Sequence, residues 1–143
     1  MINETLAPKV GLQVLVIKDD KVLIGRDEKK GKDIYGVPAG HWHNDETLEQ
    51  GAKREVEEES GVICKNLKLI SVYDFFRHDK GIRYVSIGYA ADYVSGELTD
   101  NAEEERLGWE WVEPEEALKL NLYPAGRALL DKYLTIDKTS TLA

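Results

Sequence analysis

The chain has 143 residues, 27 acidic against 19 basic side chains, and a net charge of −8. That length suits one domain of the common size of about 100–150 residues. The charge argues against a protein that wraps nucleic-acid backbone or docks on anionic lipid, since both need a basic face. No apolar run approaches the ~18 residues of a membrane span. The first ten residues lack the basic start and apolar stretch of a secretion signal, so a cytoplasmic location is expected. Cys64 is the only cysteine, which excludes an internal disulfide and a cysteine-built zinc site.

Residues 10–18 (VGLQVLVIK) form an apolar, β-branched run; Asp19-Asp20 makes a turn and Val22-Leu23-Ile24 a second run, together predicting a hairpin. Residues 27–33 are a polar loop. Residues 35–40 are punctuated by Gly and Pro and are extended ahead of Pro38. Residues 45–60, rich in Glu, Leu and Ala, predict a helix with Asp45 as candidate N-cap and Gly61 as its stop. Residues 62–72 and 83–94 predict strands, and 108–113 alternate as another. A short helix starts at Pro114, and residues 123–134 predict a last helix with Leu129, Leu130 and Tyr133 on one side. A polar tail follows Asp137. There is no internal repeat or linker. The pattern predicts a single α/β domain with a core of about 9–134, an α/β/α sandwich on a mixed sheet.

The acidity is uneven. Residues 45–59 hold seven acids against Lys53 and Arg54, and residues 101–116 hold seven against Arg106, so the rest of the chain is slightly basic. On a helical wheel of about 100° per residue, Leu48, Gly51, Ala52 and Val56 share one side. Glu55 and Glu59 fall in the middle of that side, Glu58 at its edge and Glu57 opposite, while Lys53 and Arg54 point elsewhere. Carboxylates turned inward cost several kcal/mol each unless compensated. A hard divalent cation, Mg²⁺ or Mn²⁺, is the natural compensator, because it takes oxygen ligands. The i, i+3, i+4 spacing of Glu55, Glu58 and Glu59 gathers three carboxylates within one turn. Gly40, just upstream, leaves backbone bare for close approach, and the Ala39 carbonyl offers a further oxygen. Glu46 lies near the helix start, where the macrodipole favours an acid.

Gly40, five residues, Glu46, seven residues, then Arg54-Glu55-Val56-Glu57-Glu58-Glu59-Ser60-Gly61-Val62 resembles the Nudix box, G-x5-E-x7-R-E-U-x-E-E-x-G-U with U apolar. All seven fixed and both apolar positions match over 23 residues. The resemblance implies a hydrolase that cleaves a nucleoside diphosphate linked to a group X with Mg²⁺ or Mn²⁺ and water. Carried over by position, Glu55, Glu58 and Glu59 are metal ligands, one of them helping to deprotonate water, and Arg54 orients them by ion pairing. Glu46 is structural or outer-shell, and Gly40 and Gly61 serve backbone geometry. Many members draw one more carboxylate from a later loop, for which Glu103, Glu104 and Glu105 are candidates, Glu104 first. Pro38-Ala39-Gly40-His41 is similar to a subgroup of small nucleotide phosphohydrolases that favours nucleoside tri- or diphosphates and thiamine diphosphate.

Substrate contacts are expected outside the motif. One ring of Phe75-Phe76, with Phe76 as candidate, would stack on a base, and Arg77 and Arg26 would meet phosphate. Trp109 and Trp111, on one strand face, are candidates for core or for a homodimer contact. His41 and His43 are read as loop or outer-shell groups rather than a zinc pair. A nucleoside triphosphate is the leading substrate. A nucleoside diphosphate sugar such as ADP-ribose is the alternative within the same chemistry, and a catalytically idle nucleotide sensor is the alternative outside it.

Overall fold

The computed structural model describes residues 6–27, 33–101 and 106–136. Seven strands and three helices follow in the order β1 (Lys9–Lys18), β2 (Lys21–Asp27), β3 (Tyr35–Gly36), β4 (Ala39–His41), α1 (Leu48–Ser60), β5 (Ile63–Arg77), β6 (Ile82–Ser95), β7 (Arg106–Val112), α2 (Pro114–Ala117) and α3 (Pro124–Thr135). The strands form one sheet in the order β3-β2-β1-β6-β5, with β4 also on β1 and β7 on β2. Every pairing is antiparallel except β1 with β6, so the sheet is mixed.

The apolar run of β1 marks it as a central strand covered on both faces. Val14 and Val16 pack toward α1 with Leu23, Ala52, Val56, Val62, Tyr89 and Trp109. Leu15 packs the opposite way with Val22, Ile24, Ala117, Leu129 and Leu130 of the α2–α3 layer. These two cores make the expected α/β/α sandwich. Asp19 and Asp20 both take left-handed backbone, φ 51° and 63°, which gives the β1–β2 hairpin a turn whose twist matches its strands. Trp109 is core, and Trp111 meets Tyr93 edge-on at 5.5 Å between ring centroids. Cys64 lies in the α1-side core, and burial pushes its thiol up to about 11, so it carries negligible thiolate at neutral pH. Among the described residues no helix is long and apolar enough to cross a membrane.

Two boundaries differ from the sequence-based expectation. The helix expected from residue 45 starts at Leu48, because Thr47 rather than Asp45 caps it. The Thr47 hydroxyl accepts the Gln50 N–H at 3.1 Å, and the Gln50 side chain accepts the Thr47 N–H at 2.8 Å. This reciprocal pair satisfies two donors that a helix start otherwise leaves open. The strand expected at 62–72 runs on to Arg77, so the aromatic residues that follow belong to the sheet rather than to a loop.

Thr47→Ala removes the cap without disturbing either core. It is expected to cost about 1 kcal/mol in urea unfolding; a variant as stable as the parent would count against this capping role.

Candidate functional site

The last turns of α1 and the short strand β4 meet at one end of the helix. Glu55 and Glu59 are buried, at 6 % and 4 % exposure. Glu57 faces solvent as the wheel requires. Glu58, expected with the inward set, is half-exposed at the rim, its side chain 48 % accessible. Its edge position lets it swing out to Arg54, one turn back. Gly61, at φ 81°, ends the helix in left-handed backbone that a residue with a side chain rarely adopts.

The helical wheel alone turns Arg54 away from the carboxylates, but its long side chain folds back across them, the ion pairing that the motif implies. Nε and Nη2 donate to the two oxygens of Glu46 at 2.8 and 2.7 Å. Nη1 donates to Glu55 Oε1 at 2.7 Å and Glu58 Oε2 at 3.1 Å, and Nη2 also to the His41 carbonyl at 3.0 Å. Glu46 Oε1 accepts the His43 N–H at 3.0 Å, and the Glu46 carbonyl accepts Trp42 Nε1–H at 3.0 Å. The Arg54 hydrogen bonds hold the Glu46 carboxyl down at about 2, and Glu46 pushes the guanidinium still further above its already high range.

Two backbone features seat the buried acids. Glu59 Oε1 accepts the Ala39 N–H at 2.5 Å. A Cβ at Gly40 would run into the Glu55 carboxylate, so glycine is what leaves that carboxylate in its place.

Glu59, Ala39, Gly40 and His41 rim a cavity of about 680 Å³ on the α3 side of the sheet, within the size range of ligand pockets. Gly11 and Gln13 of β1 and Ser86 of β6 form its shallow floor. Tyr73 and Phe75 stand on the β5 side, with Phe75 stacked on Tyr84 at 5.4 Å and 11°. Gly36, Val37, Arg106, Tyr123 and the start of α3 close the other side. Gln13 Nε2 donates to the Ala125 carbonyl at 2.9 Å and ties floor to helix.

Phe76, Arg77 and Arg26 do not line the cavity. Alternation along β5 gives the cavity face to Tyr73 and Phe75 and turns Phe76 away, against His78 and under the Arg83 guanidinium. Arg77 is gripped by both oxygens of Asp79, at 3.0 and 2.7 Å. Arg26 is exposed and 3.9 Å from Asp33. Among the described residues the cavity is lined by one arginine, Arg106, which sequence reasoning passed over because it stands inside the second acidic window; Tyr123 was also not singled out, and of the Phe75-Phe76 pair the ring at the cavity is Phe75. The alternation parity of β5 was the signal that could have separated Phe75 from Phe76. Glu103, Glu104 and Glu105 lie outside the described residues.

Among the described residues no three His, Cys, Asp or Glu side chains gather closely enough to hold an ion. Glu55 and Glu58 converge on Arg54, and Glu59 on the Ala39 N–H, because carboxylates brought together turn to whatever donors lie nearest. The donor chemistry still suits a hard divalent cation: oxygen only, two carboxylates held at the cavity rim and helix end, a third beside them, and a glycine where a Cβ would block the approach.

A family model described as NUDIX domain matches residues 7–133. The ADP-ribose pyrophosphatase of Methanocaldococcus jannaschii is 34 % identical over 102 residues, covering 69 % of this chain and 60 % of that protein. The NAD-capped RNA hydrolase NudC of Photobacterium profundum is 36 % identical over 91 residues, 64 % of this chain and 33 % of that protein. The chain thus spans between a third and three-fifths of the length of these relatives. The crystal structure of a MutT NUDIX hydrolase from Burkholderia pseudomallei superposes with a TM-score of 0.78 at 25 % identity, covering 89 % of this chain and 98 % of that one.

The Glu46–Arg54 pair has a pH signature. A carboxyl lowered from 4.5 to about 2 contributes stability that is fully present above pH 4.5 and is lost as pH falls through 2. The melting temperature of the parent should therefore fall more steeply over that window than that of Glu46→Gln, the two converging at the acid end. Parallel curves would overturn this role for the pair.

Proposed function

This chain belongs to the NUDIX family, and from that premise we propose that it hydrolyses a phosphoanhydride bond in a nucleoside diphosphate linked to a second group. The observation that carries the reading is the Glu59 carboxylate, held by the Ala39 N–H at 2.5 Å on the rim of the cavity of about 680 Å³. Of the two substrate classes, the geometry favours the nucleoside diphosphate sugar, ADP-ribose or a similar compound, over the nucleoside triphosphate expected first. A triphosphate carries more charge than this lining answers: among the described residues the cavity holds one arginine, while Tyr73, Phe75 and Tyr123 supply aromatic surface for a base or sugar. The named activities of the relatives, on ADP-ribose and on NAD caps, support the same choice. The net charge of −8 supports a small nucleotide rather than a long polyanion as the ligand.

Members of the family generally use a divalent metal. Here Glu55, Glu58 and Glu59 would hold Mg²⁺ or Mn²⁺, with the Ala39 carbonyl as a further oxygen. The ion, when bound, neutralises phosphate oxygens and lowers the pKa of coordinated water. The chain's own residues do the rest. One carboxylate of the three accepts the proton of the attacking water. Arg54 fixes Glu55 and Glu58 from one side, and Glu46 fixes Arg54, so the carboxylates keep their aim when an anionic substrate arrives. The aromatic wall places the nucleoside and excludes water from that side of the phosphates.

Incubation with ADP-ribose, NAD, nucleoside triphosphates and NAD-capped RNA in Mg²⁺ or Mn²⁺, read as released phosphate-bearing products, should show the diphosphate-linked small molecules turned over fastest. No turnover of any of them would favour an idle sensor. Glu55→Gln, Glu58→Gln and Glu59→Gln should each lower kcat by about 10²–10⁴-fold, while Glu57→Gln stays near the parent; equal loss in all four would overturn the assignment.

A further inference from the structure

Arg106 opens β7 and lines the cavity. Its surroundings hold it in place without neutralising it. Nη1 donates to the Val37 carbonyl at 2.7 Å, and the guanidinium lies 4.9 Å from the centroid of the Tyr123 ring. The Tyr123 hydroxyl donates in turn to Asp27, which is 2 % exposed. Yet Arg106 Nε is buried with no hydrogen-bond partner, and no carboxylate among the described residues lies within ion-pair distance of this side chain. Arg54, Arg77 and Arg83 each carry such a partner. A buried donor left unmade is expensive, and a guanidinium more so.

Position tells what would answer it. Arg106 grips the carbonyl of Val37, and Glu59 grips the N–H of Ala39. The two anchor points are two residues apart, at most about 7 Å along an extended chain. Between them Pro38 is fully buried and has no N–H to offer an anion. Both bonds fall on one segment of the cavity rim, so the proposed metal carboxylate and a cation with no ion-pair partner among the described residues meet it close together.

We propose that Arg106 is the positioning residue for the second phosphoryl group of the substrate, the one next to that at the proposed metal carboxylate Glu59, so that a diphosphate spans the cavity rim between Glu59 and Arg106. This rests on the nucleotide reading above. It makes the cavity selective for two linked phosphates over one. Gly36 belongs to the same device: a Cβ there would stand 2.8 Å from Arg106 Nε and 3.0 Å from Cζ, so a larger residue would displace the guanidinium without removing it.

The test compares binding of the α,β-methylene diphosphates of adenosine, guanosine and uridine with that of the matching monophosphates, by calorimetry with Mg²⁺. The parent should bind a diphosphate more tightly than its monophosphate. Arg106→Gln should weaken the diphosphate by about tenfold or more, the loss of a charge-assisted contact, and leave the monophosphate near its parent value. Gly36→Ala should do the same with its guanidinium still present, and melting curves without ligand verify that each variant is folded. Equal loss for both ligands, or no loss for either, in a folded variant overturns the proposal. Should the parent discriminate between nucleotides but neither variant change that, Arg106 is excluded while the nucleotide reading stands. A parent that binds none of the six overturns the nucleotide reading and this proposal with it.

Discussion

Two glutamates turned into the protein from one helix, Glu55 and Glu59, set the terms for everything around them. A buried carboxylate has to find donors, and here each finds them from a different element. Glu59 takes a backbone N–H from β4. Glu55 takes Arg54 Nη1, and Arg54 is itself clamped by both oxygens of Glu46 in the preceding loop. The His43 N–H then pins Glu46. Loop, strand and helix are joined through side chains whose charges alternate in sign, which is why one end of α1 can carry so many acids and remain packed. The motif spacing is the sequence shadow of this linkage: Glu46 and Arg54 must reach each other, and Gly40 must let Glu55 past.

The cavity depends on a complementary economy of bulk. The central strands offer Gly11 and Ser86 to it, while the aromatic side chains stand toward its two sides, Tyr73 and Phe75 on β5 and Tyr123 before α3. Small residues in the middle and large ones outside make a concave face on a sheet whose other face, under α1, is filled by apolar side chains. The shape of the pocket therefore comes from the order of strands as much as from any loop.

The sequence made much of this legible, for identifiable reasons. The apolar runs of β1 and β2 and the helical spacing of Leu48, Ala52 and Val56 report burial directly, so the layers and the inward turn of Glu55 and Glu59 follow from periodicity. The cap at Thr47 was hidden by Asp45, an equally good capping residue two positions earlier; only the Gln50 side chain decides between them. The wheel alone turns Arg54 aside because it places Cα atoms, whereas a guanidinium travels several bonds from its own; the ion pairing followed from the motif instead. The strand expected at 62–72 stops short of Phe76 and Arg77 because nothing in their composition says that β5 continues through them. Arg106 was invisible for another reason: its role comes from a cross-strand position opposite Asp27 and from Val37, 69 residues away in the chain, and no local pattern encodes such a meeting.

The parallel pairing of β1 with β6 has a kinetic meaning. β1 lies beside β6 from Lys9 with Tyr84 to Ile17 with Asp92, so strands 75 residues apart in sequence form the centre of the structure. Closing so long a loop costs chain entropy before its contacts repay it, and topologies of this kind fold slowly. Gly40, Glu46, Arg54 and the glutamates of α1 all lie inside that loop. Ser86, Tyr73 and Phe75, which line the cavity from β6 and β5, join Gly11 and Gln13 of β1 only when the first strand docks against the sixth. The candidate site is thus assembled together with the centre of the sheet, and a chain that has yet to close the loop has the acidic helix but not the cavity it serves.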